Sequence, residues 1–557
     1  MSITPPTHSS TSGRPGWWRD GVVYEVYVRS FRDSDGDGVG DLEGVRAGLP
    51  YLRSLGIDAI WLTPFYASPQ RDHGYDVADH LSVHHEYGDL AAFDHLVTDA
   101  HRLEIKVIVE IVPNHVSIEH RWFTAALAAR PGSDERSRFH FADGTGSFGE
   151  LPPNNWRSIF GGPAWRRISE PDHTPGQWYL HSFAPEQADL NWGHPAVAEH
   201  FEEVLRFWLD RRVDGFRVDV AHGLYKRQGL PDHPFAIDDE LTGDPLNPYA
   251  WNQPGVHSVW RRWRSLVDDY SERTGQERVL IGEVGVLDTA ELASYQAPGE
   301  LHQCFYFEFL RCPWHVPSLA AVIERGLEAI TALGSPVAWV LNNHDVPRAV
   351  TRYAGGAPGI GPGAVHLGIA RARAAALLML ALPGSAFLYQ GEELGLPEVT
   401  DLPDQVLTDP MFRWTGGARR GRDGCRVPLP WVWDGDSFGF SPAGSGARPW
   451  LPQPDWFANH SVDRQLEYGE SVLHLYREAI GLRHRLPALA SAGFSWLPTG
   501  PDVLAFTRGD GFACIVNCSR EPVCPPPGAR LLLGSGPEVV EKLPPDCAGW
   551  FLLDDLP

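Results

Sequence analysis

The sequence predicts an α/β chain built on a (β/α)8 TIM barrel. Three observations predict it. Eight short runs rich in β-branched and aromatic residues recur through the first 390 or so positions. Segments with a helical apolar repeat fall between most of them, which is the signature of parallel strands joined by crossover helices. Two stretches dense in Gly, Pro and aromatic residues interrupt the alternation, too long to be simple connections. The fuller expectation is a barrel with an inserted subdomain after strand 3, an excursion after strand 8 and a C-terminal β-sandwich.

In order, residues 22–31 (VVYEVYVRSF) read as the first strand and 42–55 as a helix. Residues 57–65 (IDAIWLTPF) are the second strand, 90–104 a helix and 105–112 a buried apolar third strand. Residues 117–191 form the inserted subdomain. Residues 195–211 (PAVAEHFEEVLRFWLDR) are an amphipathic helix with Pro near its start. Strands follow at 213–221, 279–284, 301–309, 337–342 and 385–390, with helices at 256–272, 319–332 and 365–382. The barrel is thus assigned to 1–116 and 192–395, the excursion to 396–459, a last barrel helix to 460–485 and a C-terminal sandwich to 486–557, where short β-like runs alternate with Pro/Gly turns.

Composition bounds the partners. The 557 residues carry 47 Lys and Arg against 71 Asp and Glu, a formal charge of −24, which argues against nucleic acid or an anionic membrane as the main partner. With 43% hydrophobic and 21% charged residues the chain is of ordinary globular composition. No unbroken apolar run reaches membrane-spanning length. The Ser/Thr/Pro-rich start lacks a basic stretch followed by an apolar core, so it does not read as a signal peptide. Seven cysteines without paired spacing suggest a reduced, cytoplasmic setting. The 21 tryptophans serve equally as core filling or as flat walls of a sugar cleft.

Polar clusters stand where barrel strands end, the face that carries barrel active sites. The third strand closes on EIVPNH, with Asn114 and His115. The fourth reads DGFRVDVAHG, with Arg217 and Asp219 two apart and so on one face. The fifth ends IGEV, with Glu283, and the seventh LNNHD, with His344 and Asp345. Converging carboxylates repel one another and need a reason to exist. Two that flank a glycosidic bond supply it: one attacks the anomeric carbon, the other, kept protonated, gives its proton to the leaving oxygen, the pair lying ~5–5.5 Å apart in the retaining mechanism. On this reading a neighbouring Arg keeps the nucleophile ionised.

These segments, with GYDV at 74–77, QADLNW at 187–192 and GRDGCRVPLPW at 421–431, resemble the signature regions of the α-amylase superfamily, glycoside hydrolase family 13. They stand in the family's order, and the last three resemble its α-glucosidase and oligo-1,6-glucosidase branch; the segment at 219–232 resembles actinobacterial α-glucosidases. The resemblance implies Asp219 as nucleophile, Glu283 as general acid/base and Asp345 as the third carboxylate, with Arg217 positioning Asp219. It implies that His115 and His344 bind hydroxyls of the terminal glucose, that Asp72 and Tyr75 form the pocket floor, and that Arg422 pairs with Asp72, although Arg426 fits the local pattern too. Where the family usually has Asp, this chain has Glu110, in a supporting position.

The run DSDGDGVGD, residues 33–41, alternates carboxylates with glycines and suits a hard cation. It begins like an EF-hand loop, but the acid expected at position twelve is one place early: Glu43 is at eleven and Gly44 at twelve. It resembles the branch's calcium or magnesium site, which implies Asp33, Asp35, Asp37, the Val39 carbonyl and Asp41 as ligands to a structural ion.

The expected function is a retaining exo-acting α-glucosidase taking terminal glucose, mainly α-1,4-linked as in maltose, from small oligosaccharides through a covalent glucosyl-enzyme, with no cofactor in the chemistry. The rivals are a transglucosylase or isomerase of the trehalose synthase or sucrose isomerase type, and an oligo-1,6-glucosidase. Val220, directly after the nucleophile, resembles enzymes that accept α-1,6 bonds, whereas the wider DVAHG context resembles those preferring α-1,4. A catalytically dead relative would lack an acid. A metal-dependent barrel hydrolase would need a close-set histidine pair on the first strand, which is absent.

Overall fold

A computed structural model describes residues 16–234, 247–286, 288–355, 362–490, 493–539 and 541–553; most of the N-terminal tail and the last four residues lie outside them. Eight parallel strands form one sheet: β1 (Val22–Val26), β2 (Ala59–Leu62), β3 (Lys106–Ile111), β4 (Gly215–Val218), β5 (Val279–Gly282), β6 (Gln303–Cys304), β7 (Ala338–Val340) and β8 (Ser385–Tyr389). A parallel bridge between Phe305 and Ala338 closes the sheet into a barrel. Each strand is followed by a helix: α1 (Leu42–Leu55), α2 (Leu90–Arg102), α3 (Pro195–Asp210), α4 (Val256–Thr274), α5 (Thr289–Ser294), α6 (Val316–Thr331), α7 (Pro362–Ala381) and α8 (Val472–Arg485).

Local chemistry sets these elements. Asp41 caps α1 by accepting the Gly44 N–H at 2.6 Å, and Gly56 ends the helix at φ 96°, a conformation that favours glycine, its N–H returning to Leu52 O and Arg53 O. Between the caps Leu42, Val45, Leu49, Leu52 and Leu55 turn one stripe inward, each burial stabilising by roughly 1.5–3 kcal/mol. Asp89 caps α2 likewise through the Ala92 N–H, and α3 starts on Pro195, where no N–H is needed.

The strands are shorter than the sequence predicts. The first yields after Val26 to a helical turn, Val28–Phe31, and the sixth keeps two residues before another turn, Phe307–Arg311. Both runs are dominated by apolar and aromatic residues and largely buried, and such a run does not separate a strand from a buried helical turn. The short α5 is not foreseen.

The barrel is filled in layers. Val23, Ile108, Ile281, Ala338, Val340 and Phe387 make a buried apolar plug at the bottom, sealed by Trp17 and Trp18. Higher up the inward residues turn polar: Glu25 pairs with Trp61 across β1 and β2, and Glu110 with Arg217 across β3 and β4, Glu110 standing two residues beyond Ile108, the register partner of Trp61. At the β4–β5 contact a Cβ on Gly215 would lie 2.5 Å from Val279 Cγ2, so only glycine lets the strands pair there.

Between β3 and α3 the chain makes a three-stranded antiparallel sheet (Phe141–Ala142, Pro175–Leu180, Trp165–Ser169) above a pair of strands, His115–Ser117 with Gln187–Asp189. Residues after β8 form short 3-10 turns, two short helices, Pro410–Trp414 and Val462–Glu467, and coil before α8. The C-terminal domain is a five-stranded antiparallel sheet. One face, with Leu504, Phe506, Val516 and Trp550, joins the main core; the other, with Val503, Ala505, Ile515 and Phe551, packs under Val539 and Leu543 of its own connections. Gly363–Ala381 of α7 is long and apolar enough by composition to cross a membrane; here its last turns are buried between the barrel and this sheet, with Trp550 Nε1–H bonded to Leu377 O at 3.0 Å. All seven cysteines are free thiols.

Candidate active site

The polar layer opens upward into a chamber at the C-terminal ends of the strands. Asp219 follows β4, with its backbone N–H on Ile111 O at 2.8 Å; Glu283 follows β5, with its N–H on Val218 O at 2.8 Å. The ladder thus continues past the named strands and holds both carboxyls on adjacent rungs. Arg217 is bonded to Glu110, donates to Asp219 Oδ1 at 2.8 Å and brings Nη2 to 2.9 Å from Glu283 Oε2. Its guanidinium lies 4.8 Å over the Trp61 ring, whose Nε1–H donates to Glu110 at 2.6 Å. One cation therefore serves three acids.

Exposure separates the acids by role. The side chains of Asp345, Glu283 and Asp219 are 29%, 20% and 9% exposed, whereas that of Glu110 is sealed at 0%. The first three can meet a ligand and Glu110 cannot, so it supports Arg217.

The electrostatics differ from the expectation that Arg217 alone keeps Asp219 ionised. Burial, and then the Glu283 charge, push the Asp219 carboxyl well above the usual range against the pull of Arg217. Its cation is divided among three carboxylates, so Asp219 has no counter-charge of its own. Asp345 has the opposite balance. Burial would raise it, but His344, Arg422, Arg426 and Arg217 outweigh that and hold it below its ordinary value.

Both arginines of the 421–431 motif reach the site, with different tasks. Arg422 Nη2 pairs with Asp72 Oδ1 at 2.7 Å, Nη1 with Asp345 Oδ1 at 3.0 Å and Nε with Asp409 Oδ2 at 2.6 Å, its plane 4.9 Å over Phe160. The deeper Arg426 donates to Asp345 Oδ1 at 2.9 Å and His344 O at 2.9 Å. The Asp72 partner is thus Arg422. Gln187 donates to the other Asp72 oxygen at 3.0 Å.

His115 has its Nε2 3.1 Å from Tyr75 O and its Nδ1 3.1 Å from Asn114 Nδ2, and burial lowers it to about 4, so the imidazole is neutral. Tyr75 stacks on His344 at 5.3 Å and 17°, its hydroxyl 2.7 Å from His344 Nε2. Every residue that the sequence reading places in the sugar site thus lies around this chamber.

Two further acids are not singled out by the sequence reading. Asp409 comes from the excursion, and nothing in TDPM marks it. Glu25 is the polar residue of the apolar strand VVYEV, a signal in hindsight: a charge facing into a barrel near the strand's C-terminal end. It binds His344 Nδ1, which puts the ring proton there and leaves Nε2 to accept from Tyr75. Glu25→Leu is therefore expected to lower kcat by roughly 10–100-fold, as losses of supporting partners do. Glu25→Gln, whose amide oxygen can still accept, should recover most of it; equal loss in both variants would contradict this positioning role.

Val220, next to Asp219, is β-branched yet sits at φ 46°, a strained conformation. The turn aims its N–H at Glu283 Oε2, 3.1 Å away, and its side chain joins a cluster with Trp156, Trp165 and Trp251.

Of the acidic loop, Asp33, Asp35 and Asp37 each bring a carboxylate oxygen within 4.8 Å of the others. Burial, then Asp35 and Asp33, raise Asp37, as expected of like charges that a cation would relieve. Asp41 stands apart from this trio, its oxygens accepting from Ser34 and Gly44 as the cap of α1.

Comparison with known proteins agrees with this geometry. The family described as "Alpha amylase, catalytic domain" matches residues 25–492. The chain is 36% identical over 542 residues to a probable alpha-glucosidase of Rhizobium meliloti, covering 94% of this chain and 93% of that one. It is 32% identical to an oligo-1,6-glucosidase of Parageobacillus thermoglucosidasius, covering 88% of each. Among solved structures, an alpha-glucosyl transfer enzyme, XgtA, is similar with TM-score 0.82 and 35% identity, covering 96% of this chain and 99% of that one. The trehalulose synthase MutB of Pseudomonas mesoacidophila is similar with TM-score 0.82 and 30% identity over the same shares.

Proposed function

The chain belongs to the α-amylase family of glycoside hydrolases, and on that premise we propose that it is a retaining, exo-acting α-glucosidase for short α-linked glucosides, mainly α-1,4. The observation that carries this reading is the ion-paired wall Asp72–Arg422–Asp345, with Asp409 behind it. Such a wall is what a site that takes one terminal sugar, and no chain running through, requires.

In the proposed reaction Asp219 Oδ attacks the anomeric carbon while Glu283 gives its proton to the glycosidic oxygen. Two carboxyls held on one guanidinium suit the close spacing of a retaining pair. Glu283 enters this step protonated, and Asp219 attacks as the anion beside Arg217. Water, deprotonated by Glu283, then releases glucose. Asp345, kept ionised by its two arginines, accepts hydroxyl hydrogen bonds and stabilises positive charge developing on the ring. Tyr75 offers its face to the sugar, and Asp72 and His115 bind hydroxyls at the closed end.

Initial rates and products on maltose, isomaltose, sucrose and trehalose test this. Maltose should be fastest, with glucose the dominant product. Faster isomaltose hydrolysis would move the enzyme to the α-1,6 branch. Dominant isomerised or longer products would make it a transglucosylase, the alternative favoured by its likeness to XgtA and MutB; the two outcomes differ only in whether water or a sugar reaches the glucosyl-enzyme first.

The acidic loop we assign to a structural Ca²⁺ or Mg²⁺ held by Asp33, Asp35, Asp37 and the Val39 carbonyl, with Asp41 bracing the loop from the helix cap. Oxygen-only donors in a glycine-rich turn suit a hard cation. Its expected effect is on stability: EDTA should lower Tm by several degrees, and Ca²⁺ should restore it, with kcat on maltose at 25 °C little changed. A fall in kcat without a fall in Tm would contradict a structural role.

A further inference from the structure

Away from the sugar chamber, three histidines from three separate elements meet beneath the surface. His80 lies in the strand Asp79–Val83, His120 precedes the helix Arg121–Ala128, and His200 is on α3. All three are buried, and one nitrogen of each lies within 4.8 Å of the others. Their rings stand like blades of a propeller, with centroids 5.9, 6.1 and 6.5 Å apart and planes inclined at 64–73°. None is hydrogen-bonded to another.

Their polar atoms are poorly served. His80 Nε2 lies 3.2 Å from Val112 O, which puts the ring proton on Nε2; Nδ1 keeps a lone pair, is buried, and has no partner. His200 Nε2 is likewise buried without a partner. Buried polar atoms left unpaired are destabilising and rare in folded proteins. A histidine cluster that holds two of them calls for something that accepts lone pairs.

Protons are poor candidates for that role. Burial first, then neighbouring imidazoles or Arg121, hold His120 at about 3 and His200 at about 4, so near neutral pH these rings are uncharged. Three neutral imidazoles converging from different directions form the donor set of a three-histidine metal centre, in which nitrogen ligands lie about 2.0–2.1 Å from the ion and solvent takes the fourth place. Imidazole nitrogen selects ions such as Zn²⁺ over the hard cations that suit the acidic loop.

We propose that His80, His120 and His200 form a binding site for a divalent transition-metal ion of the Zn²⁺ class, separate from both the sugar chamber and the acidic loop. His80 and His200 would ligate through Nδ1 and Nε2. His120 now accepts the Trp122 N–H on Nδ1 at 3.2 Å; ligation requires its proton to shift or its ring to turn, releasing an N–H that lies in the first helical turn, where donors lack an intrahelical partner in any case. The rings must also close by roughly an ångström to reach ligand distances, against the packing of Phe201 and Trp122 around them. The Val112 carbonyl then acts as the outer partner that orients His80. An ion there would tie the segment that carries Asp72 and Tyr75, the root of the insert that carries His115, and the barrel helix α3.

The test uses the full chain, stripped with chelator and desalted. Zn²⁺ titrated calorimetrically should bind at one saturable site and raise Tm. Co²⁺ as a probe should give the visible bands of a nitrogen-ligated, four-coordinate ion, displaced by Zn²⁺. His200→Phe and His80→Phe should each weaken Zn²⁺ binding by at least about 100-fold, more than loss of an outer partner does, whereas Asp35→Ala/Asp37→Ala should leave it unchanged. No saturable site in the wild-type chain would overturn the proposal, and so would Zn²⁺ binding that survives in the histidine variants or disappears in the aspartate variant. Should a histidine variant fail to fold, the wild-type Co²⁺ spectrum decides, since oxygen-only ligation would also overturn it.

Discussion

Asp219→Asn is expected to reduce turnover of maltose below about 10⁻³ of wild type, the scale of losing a nucleophile, while the protein stays folded and at least as stable. Asn keeps an oxygen that can accept from Arg217 Nη1, now 2.8 Å from Oδ1, but it cannot form the glycosyl ester. The stability expectation follows from sign. Burial and Glu283 raise the folded-state pKa of Asp219 above its unfolded value, so the native state binds the proton more tightly and stability falls as pH rises through the folded value. Removing the group removes that loss. Tm of the variant should therefore match wild type at pH 4–5 and equal or exceed it at pH 8. Retained activity, or a variant less stable at pH 8 than wild type, would contradict the assignment of charge at this site.

Arg217→Met should have the largest effect on stability. The side chain is among the largest fully buried ones, and its removal strands Glu110, Asp219 and Glu283 around an apolar thioether. Breaking a buried ion pair from one side costs about 3–5 kcal/mol, and here three partners are left. The deficit should grow with pH, because Arg217 is the main force opposing burial at Glu110. Without it that carboxyl climbs further above its ordinary range, and the folded state loses stability from about pH 4.5 upward. Adding Glu110→Gln should recover part of the lost Tm, most visibly at pH 8, without restoring turnover. If the double variant is no more stable than Arg217→Met, the network description fails. Chemical denaturation followed by circular dichroism at pH 5 and pH 8 measures both arms.

The barrel and much of the chamber are legible in the sequence because their causes are local. A strand that alternates faces shows where Arg217 and Asp219 point, and a helix with an Asp cap and a glycine stop, such as α1, announces its own ends. What is less legible depends on partners distant in the chain. Glu25 and His344 are 319 positions apart, and neither has a neighbour that betrays the other. Asp41 reads as one more carboxylate in an acidic loop until the start of α1 claims its oxygens. That Arg217 is divided among three acids, and so cannot by itself hold Asp219 ionised, follows only once β3, β4 and β5 stand in register. His80, His120 and His200 have no motif spacing at all; the packing of a strand, a helix start and α3 brings them together.

The chamber gathers Glu25, Asp72, Glu110, Asp219, Glu283, Asp345 and Asp409 around three guanidinium groups, those of Arg217, Arg422 and Arg426. Burial pushes Glu25, Asp72, Glu110 and Asp219 upward, so the negative charge at this end of the barrel is not a fixed sum of its acids but grows as pH rises.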